Sequence, residues 1–74
     1  KHMYTESFKD KLKQARIDCG MTQEEVAEEL HVKRVNISNY ETGRHEPDLE
    51  TLAQLANLYG VTTDWLLGIG KMKP

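Results

Sequence analysis

The chain has 74 residues, with 10 Lys and Arg against 12 Asp and Glu, which gives a formal net charge of −2. That length holds one domain with a radius of gyration of ~11 Å and hides only ~60% of the unfolded surface, so a barrel enzyme, a doubly wound nucleotide-binding sheet and a large substrate cavity are excluded. The slightly acidic balance also excludes a uniformly basic coat, and any site for a polyanion must be a local patch.

The first predicted helix runs from about Glu6 to Cys19. Phe8, Leu12, Ala15 and Cys19 recur at helical spacing, and Gly20 stops it. The second opens at Thr22-Gln23-Glu24-Glu25. This is a capping box, in which the Thr22 hydroxyl accepts from the Glu25 amide and Glu25 reaches back. Its apolar face is Val26, Ala27 and Leu30. The third helix runs from about Lys33 to Glu41, with Ile37 and Tyr40 one turn apart and Gly43 as its stop. The fourth follows Pro47-Asp48, where Asp48 suits an N-cap; its stripe is Leu49, Leu52, Leu55, Ala56 and Tyr59, ended by Gly60. The fifth starts near Thr62 or Thr63, carries Trp65, Leu66 and Leu67, and ends by Gly68. Four glycines thus sit just past apolar-periodic runs, where a left-handed helix end belongs. No stretch alternates with period two, so the expected class is all-α, without a sheet.

The domain is expected over residues 6–68. Residues 1–5 form an N-terminal tail, in which Lys1 and His2 look like a cloning remnant ahead of Met3, and residues 69–74 form a C-terminal tail that would suit the start of a linker. The single cysteine, Cys19, cannot form an internal disulfide, which fits a reducing cytosol. It is expected to act as a small core hydrophobe. There is no apolar run of ~18 residues to span a membrane and no signal-peptide layout at the N-terminus.

Only His31, Val32 and Lys33 are available to connect the second and third helices. So short a connection forces a sharp angle between two short helices, the geometry of a helix-turn-helix. The stretch from Gln23 to Gly43 resembles the helix-turn-helix of phage repressor and Cro-type proteins, the XRE family. The marks are Thr22-Gln23, Ala27 at the helix crossing, Ile37, Tyr40-Glu41-Thr42-Gly43 followed by Pro47, Leu55-Ala56, and Val61-Thr62-Thr63-Asp64-Trp65-Leu66-Leu67. Together they extend from Phe8 to Leu67. The resemblance implies a compact five-helix, lambda-repressor-like bundle that binds duplex DNA. One departure is His31, where the family usually has Gly. Positive φ there would cost about 1 kcal/mol relative to Gly. His31 is then a tolerated turn residue, or alternatively a phosphate contact or pH sensor.

The third helix can be read face by face. Ile37 and Tyr40 are expected in the core, because nothing else in the helix can anchor it. Lys33, Arg34, Asn36 and Asn39 then turn outward. Val35 lies about 200° from Ile37 on the helical wheel and joins the polar face. A thymine methyl in the major groove would explain it, and so would a scattered exposed valine. Arg34 can donate two parallel bonds to guanine, and Asn39 and Asn36 can pair with adenine or reach phosphate. Carried over from the family, the base-readers are Lys33, Arg34, Val35 and Asn39, while Asn36 holds the backbone. The resemblance also gives Gln23, after its cap Thr22, a phosphate at the start of the second helix. Arg44 is a further phosphate candidate, assisted by His45. The family pairs a basic residue late in the first helix with an acidic one ending the third; Arg16 and Glu41 match. Arg16 would then present a remaining N–H to phosphate. The alternative is two independent surface charges.

Residues 21–30 carry four Glu and no Lys or Arg, whereas residues 31–46 carry Lys33, Arg34 and Arg44 against Glu41 and Glu46. The acidic helix reads as a solvated face rather than a metal site, and the net acidic balance predicts weak, salt-sensitive non-specific binding. Tyr40, Tyr59 and Trp65 are phased as core or dimer surface rather than as a base-stacking platform. No nucleophile arrangement or phosphate-cradling glycine loop is present, so neither catalysis nor a cofactor is expected. The function expected is a sequence-specific DNA-binding transcriptional regulator, by default a repressor that blocks polymerase as a homodimer on a two-fold symmetric operator. Val61, Trp65 and Leu66 are candidate dimer surface. The rivals are an antitoxin that also caps a toxin and a protein-interaction adaptor that has kept the fold but not DNA.

Overall fold

The computed structural model describes residues 8–69, which form five helices in the order α1 (Phe8–Asp18), α2 (Gln23–Leu30), α3 (Arg34–Thr42), α4 (Leu49–Tyr59) and α5 (Thr63–Leu67). No strand occurs among the described residues. The tail and remnant expected at residues 1–5, the start of the first helix at Glu6, and residues 70–74 lie outside them. The Cα radius of gyration is 11.1 Å, the size a single close-packed unit of this length should have.

Each helix end has a local cause. At α2 the capping box closes as the sequence requires: Glu25 N–H donates to Thr22 Oγ1 at 3.0 Å, and Thr22 N–H donates to Glu25 Oε1 at 2.9 Å. Asp48 caps α4 through the Thr51 amide and Thr62 caps α5 through the Trp65 amide. The bond from the Thr51 amide holds the Asp48 carboxyl below its ordinary range. α3 differs. Lys33 is not its first helical residue but its N-cap, and it makes no side-chain cap bond. Lysine has no acceptor to offer the open amides and places a cation at the positive end of the helix dipole.

The α2–α3 turn uses His31 in the left-handed region, at φ 59°. His31 N–H and Val32 N–H return to the end of α2, the latter to Ala27 O at 3.0 Å. This closure lets Val32 drop onto the core and aims α3 across α2. Histidine tolerates the strain at a cost of about 1 kcal/mol relative to glycine.

The core is built from Phe8, Leu12 and Ala15 of α1, Val26 and Ala27 of α2, Ile37 of α3, Leu52, Leu55, Ala56 and Tyr59 of α4, and Val61 and Leu66. α3 packs on α1 and α2, and α5 closes the bundle against α1 and α4. Several expectations are corrected here. Cys19 is exposed, because α1 ends at Asp18 and the residue turns out of the apolar stripe; its thiol donates to Tyr59 O at 3.3 Å. Leu49 is 71% exposed, since the first residue of α4 overhangs the bundle. Tyr40 is half-buried against the core rather than within it. Val61 and Leu66 are buried inside the chain and cannot form a dimer surface, while Trp65 is half-buried with the Lys11 ammonium 5.2 Å from its ring centroid.

Tyr59 contains the one described side-chain polar atom that is buried without a partner, its hydroxyl. Burial first, and then the nearby Glu41 charge, push that hydroxyl above the ordinary tyrosine range. Ionisation is therefore penalised in the fold, so this group leaves stability independent of pH below pH ~10 and lowers it as pH rises beyond that. Tyr59→Phe removes an unsatisfied group without opening a large cavity. Its stability at pH 7 is expected to equal the wild type's or exceed it by about 1 kcal/mol, with a shallower alkaline decline. Urea titrations at pH 7 and pH 10.5 test this. A loss above ~1 kcal/mol at pH 7 would show that the hydroxyl does hold a partner.

Candidate nucleic-acid interface

α3 presents two unlike faces. Its inner face is pinned by Ile37, 1% exposed, and, one turn on along the same face, by Glu41. The Glu41 side chain is 2% exposed and that of Arg16 is 12% exposed. Their contact is a two-bond fork: Arg16 Nε donates to Glu41 Oε2 at 2.7 Å and Nη2 to Oε1 at 3.1 Å. The third nitrogen, Nη1, donates to Met21 O at 2.8 Å across the α1–α2 turn. All three guanidinium nitrogens make one bond each within the chain, which leaves the second N–H of Nη1 and of Nη2. The bond to Glu41 raises the Arg16 pKa above its ordinary value despite burial, and the guanidinium is charged at every relevant pH.

The same carboxylate reaches the surface through one more residue. Gln23 Nε2 donates to Glu41 Oε1 at 3.0 Å, and Gln23 Oε1 accepts from Arg34 Nη1 at 3.0 Å. The chain of contacts runs Arg16, Glu41, Gln23, Arg34, from buried to exposed. Gln23 was expected to offer its side-chain amide to phosphate. Here that amide bridges the first turns of α2 and α3 and steers Arg34. The capping box occupies the amides of Thr22 and Glu25, while those of Gln23 and Glu24, inside the first turn, have no intrahelical acceptor.

The outer face of α3 carries Arg34, exposed, and Val35, 49% exposed. Lys33 is exposed beside them at the N-cap, and Asn36 and Asn39 are half-buried along the same helix. The Asn39 carbonyl accepts from the backbone of Gly43, Arg44 and His45, folding the following loop back on the end of α3. Arg44 and His45 are exposed there. Because Glu41 is neutralised inside by Arg16, the charge this segment turns outward is more positive than its composition suggests: Lys33, Arg34 and Arg44 against Glu46. The site is thus a short helix with a rigid back, a cation aimed by an amide, and an exposed branched apolar side chain beside it. Among the described residues no group of His, Cys, Asp or Glu is placed to hold a metal ion, and no helix is long and apolar enough to cross a membrane.

Residues 12–66 match the helix-turn-helix family. The chain belongs to that family, in its phage repressor and Cro-type branch. It is 50% identical over 62 residues to the HTH-type transcriptional regulator ImmR of Bacillus subtilis, covering 84% of this chain and 49% of ImmR. It is 42% identical over 60 residues to the HTH-type transcriptional activator BcrR of Enterococcus faecalis, covering 81% of this chain and 29% of BcrR. It is also 39% identical over 54 residues to the cryptic phage CTXphi transcriptional repressor RstR of Vibrio cholerae, covering 73% of this chain and 49% of RstR. The chain therefore spans about half the length of ImmR and RstR and under a third of BcrR.

Proposed function

We propose that this helix-turn-helix chain is the operator-reading domain of a cytoplasmic transcription regulator, acting as a homodimer on duplex DNA. The observation that carries the reading is the division of α3: Ile37 and Glu41 fix one side to the bundle, and Arg34 and Val35 stand exposed on the other, with Arg34 held by Gln23. Such a helix fits the major groove edge-on. Arg34 donates to guanine O6 and N7, Val35 meets a thymine methyl, and Asn39 and Lys33 read or flank neighbouring pairs. The α2 N-terminus lies against the sugar–phosphate backbone, where the hydroxyl of Thr22 and the main-chain amides of Gln23 and Glu24 meet one phosphate. Asn36 and Arg44 hold phosphates on either side. The domain of residues 6–68 needs no cofactor for this and carries no catalytic role.

Bound over a promoter, a dimer represses by occlusion. Relatives named as an activator and as a repressor are both similar to this chain, so the sign of regulation rests on where the operator lies. Two chains per duplex are expected, on half-sites whose centres lie roughly 34 Å apart. Sedimentation of the chain with its selected duplex should give a two-to-one complex, and hydroxyl-radical footprinting should protect two patches on one DNA face. A one-to-one complex with one protected patch would overturn the dimer.

A further inference from the structure

The start of α1 comes to the end of α3, and the two meet at a position where a side chain is missing. Gly43 closes α3 in the left-handed region, at φ 81°. A β-carbon added there would sit 2.9 Å from Lys9 Cδ and 3.4 Å from Lys9 Cε. The Lys9 stem therefore lies across the bare face of Gly43, the residue that precedes Arg44 in the chain. The ammonium stands 3.6 Å from Asp10 Oδ1, and the two side chains are 44% and 76% exposed. An ion pair between exposed neighbours of this kind holds a lysine only weakly and yields it to a stronger anion.

α3 has nine residues, so it is about 13 Å long, close to the ~12 Å width of the major groove. When its first turn reaches base edges, its last turn and the following loop stand at a groove wall, where phosphates lie. From this geometry we propose that Lys9 is a phosphate-binding residue: together with Arg44 it takes a phosphodiester of the operator backbone, across the groove from the α2 N-terminus. The site joins two elements far apart in sequence, and Gly43 is its floor. The inference rests on the reading of α3 as the groove-inserted helix.

The test is a salt series between 50 and 200 mM, by fluorescence anisotropy, on a selected duplex and a scrambled duplex of equal length. Lys9→Gln is compared with the wild type and with Lys13→Gln, an exposed lysine elsewhere on α1. Lys9→Gln should weaken both duplexes by the same factor, about 3–10-fold, and lower the slope of log K against log salt by about 0.9 per chain bound. Lys13→Gln should keep the wild-type slope. A Lys9→Gln slope equal to that of the wild type overturns the proposal, as does an equal loss from both lysines. Arg34→Ala in the same series separates the two readings. If it loses preference for the selected duplex while Lys9→Gln binds like the wild type, the Lys9 site alone falls. If it keeps that preference, base reading by α3 falls with it.

Discussion

Glu41→Ala is expected to destabilise the domain by about 3 kcal/mol, the largest effect of any single truncation outside the apolar core. The cause is not the loss of a contact but what stays behind. Arg16 keeps its charge, is 12% exposed in the folded chain, and loses both bonds of the fork that compensated its desolvation. Its remaining bond, to Met21 O, does not neutralise it. In a chain of this size the loss corresponds to a fall in Tm of more than about 10 °C. The paired replacement Arg16→Met with Glu41→Leu removes both charges and should recover most of the stability, since apolar pairs of similar volume commonly match a buried ion pair. Urea denaturation of the single and paired variants measures this. A Glu41→Ala loss under ~1 kcal/mol would mean that the pair behaves as two surface charges. The variant carries a functional consequence too. Gln23 loses the carboxylate that holds its Nε2, so Arg34 is less well aimed even in molecules that remain folded.

Arg34→Ala has the largest expected effect on recognition. A bidentate contact to guanine discriminates by about 1–3 kcal/mol, so affinity for the best duplex should fall roughly 10- to 100-fold at fixed salt. Affinity for a scrambled duplex should fall far less, because there Arg34 contributes one charge among several. Stability should hold, since the side chain is exposed and its bond to Gln23 is between surface groups. Arg34→Lys should behave more like alanine than like arginine on the best duplex, because an ammonium cannot reproduce the planar fork. Anisotropy titrations of the three proteins against both duplexes check this. Equal losses on the two duplexes would reduce Arg34 to a phosphate contact, and no loss on either would favour a protein-interaction adaptor.

Much of the architecture was legible because local chemistry decides it. Gly20, Gly43, Gly60 and Gly68 all take positive φ at helix ends, and Thr22, Asp48 and Thr62 cap the helices they precede. His31 takes the left-handed turn despite its β-carbon, because Ala27, Glu28 and Val32 close the end of α2 around it. The misreadings came where the answer lies on another element or one residue beyond a boundary. Cys19 continues the α1 periodicity in sequence, yet α1 stops at Asp18. Leu49 fits the α4 stripe but overhangs its first turn. Glu41, by contrast, pairs with Arg16 as the family resemblance implies, although its partner lies 25 positions earlier and nothing within the third helix shows it. Gln23, which the family pattern aims at a phosphate, is also joined by the fold to Glu41 and Arg34, a link that no local pattern shows. Lys9 had no local signal at all. Only the missing side chain of Gly43 lets its stem lie against the end of α3.

The most direct measurement of the central claim is selection of bound sequences from a random duplex pool, run in parallel for the wild type and for Arg34→Ala. The account predicts a two-fold symmetric motif for the wild type and the loss of a specified base pair in each half of it for the variant. An identical motif from both proteins, or no enriched sequence from the wild type, would contradict it.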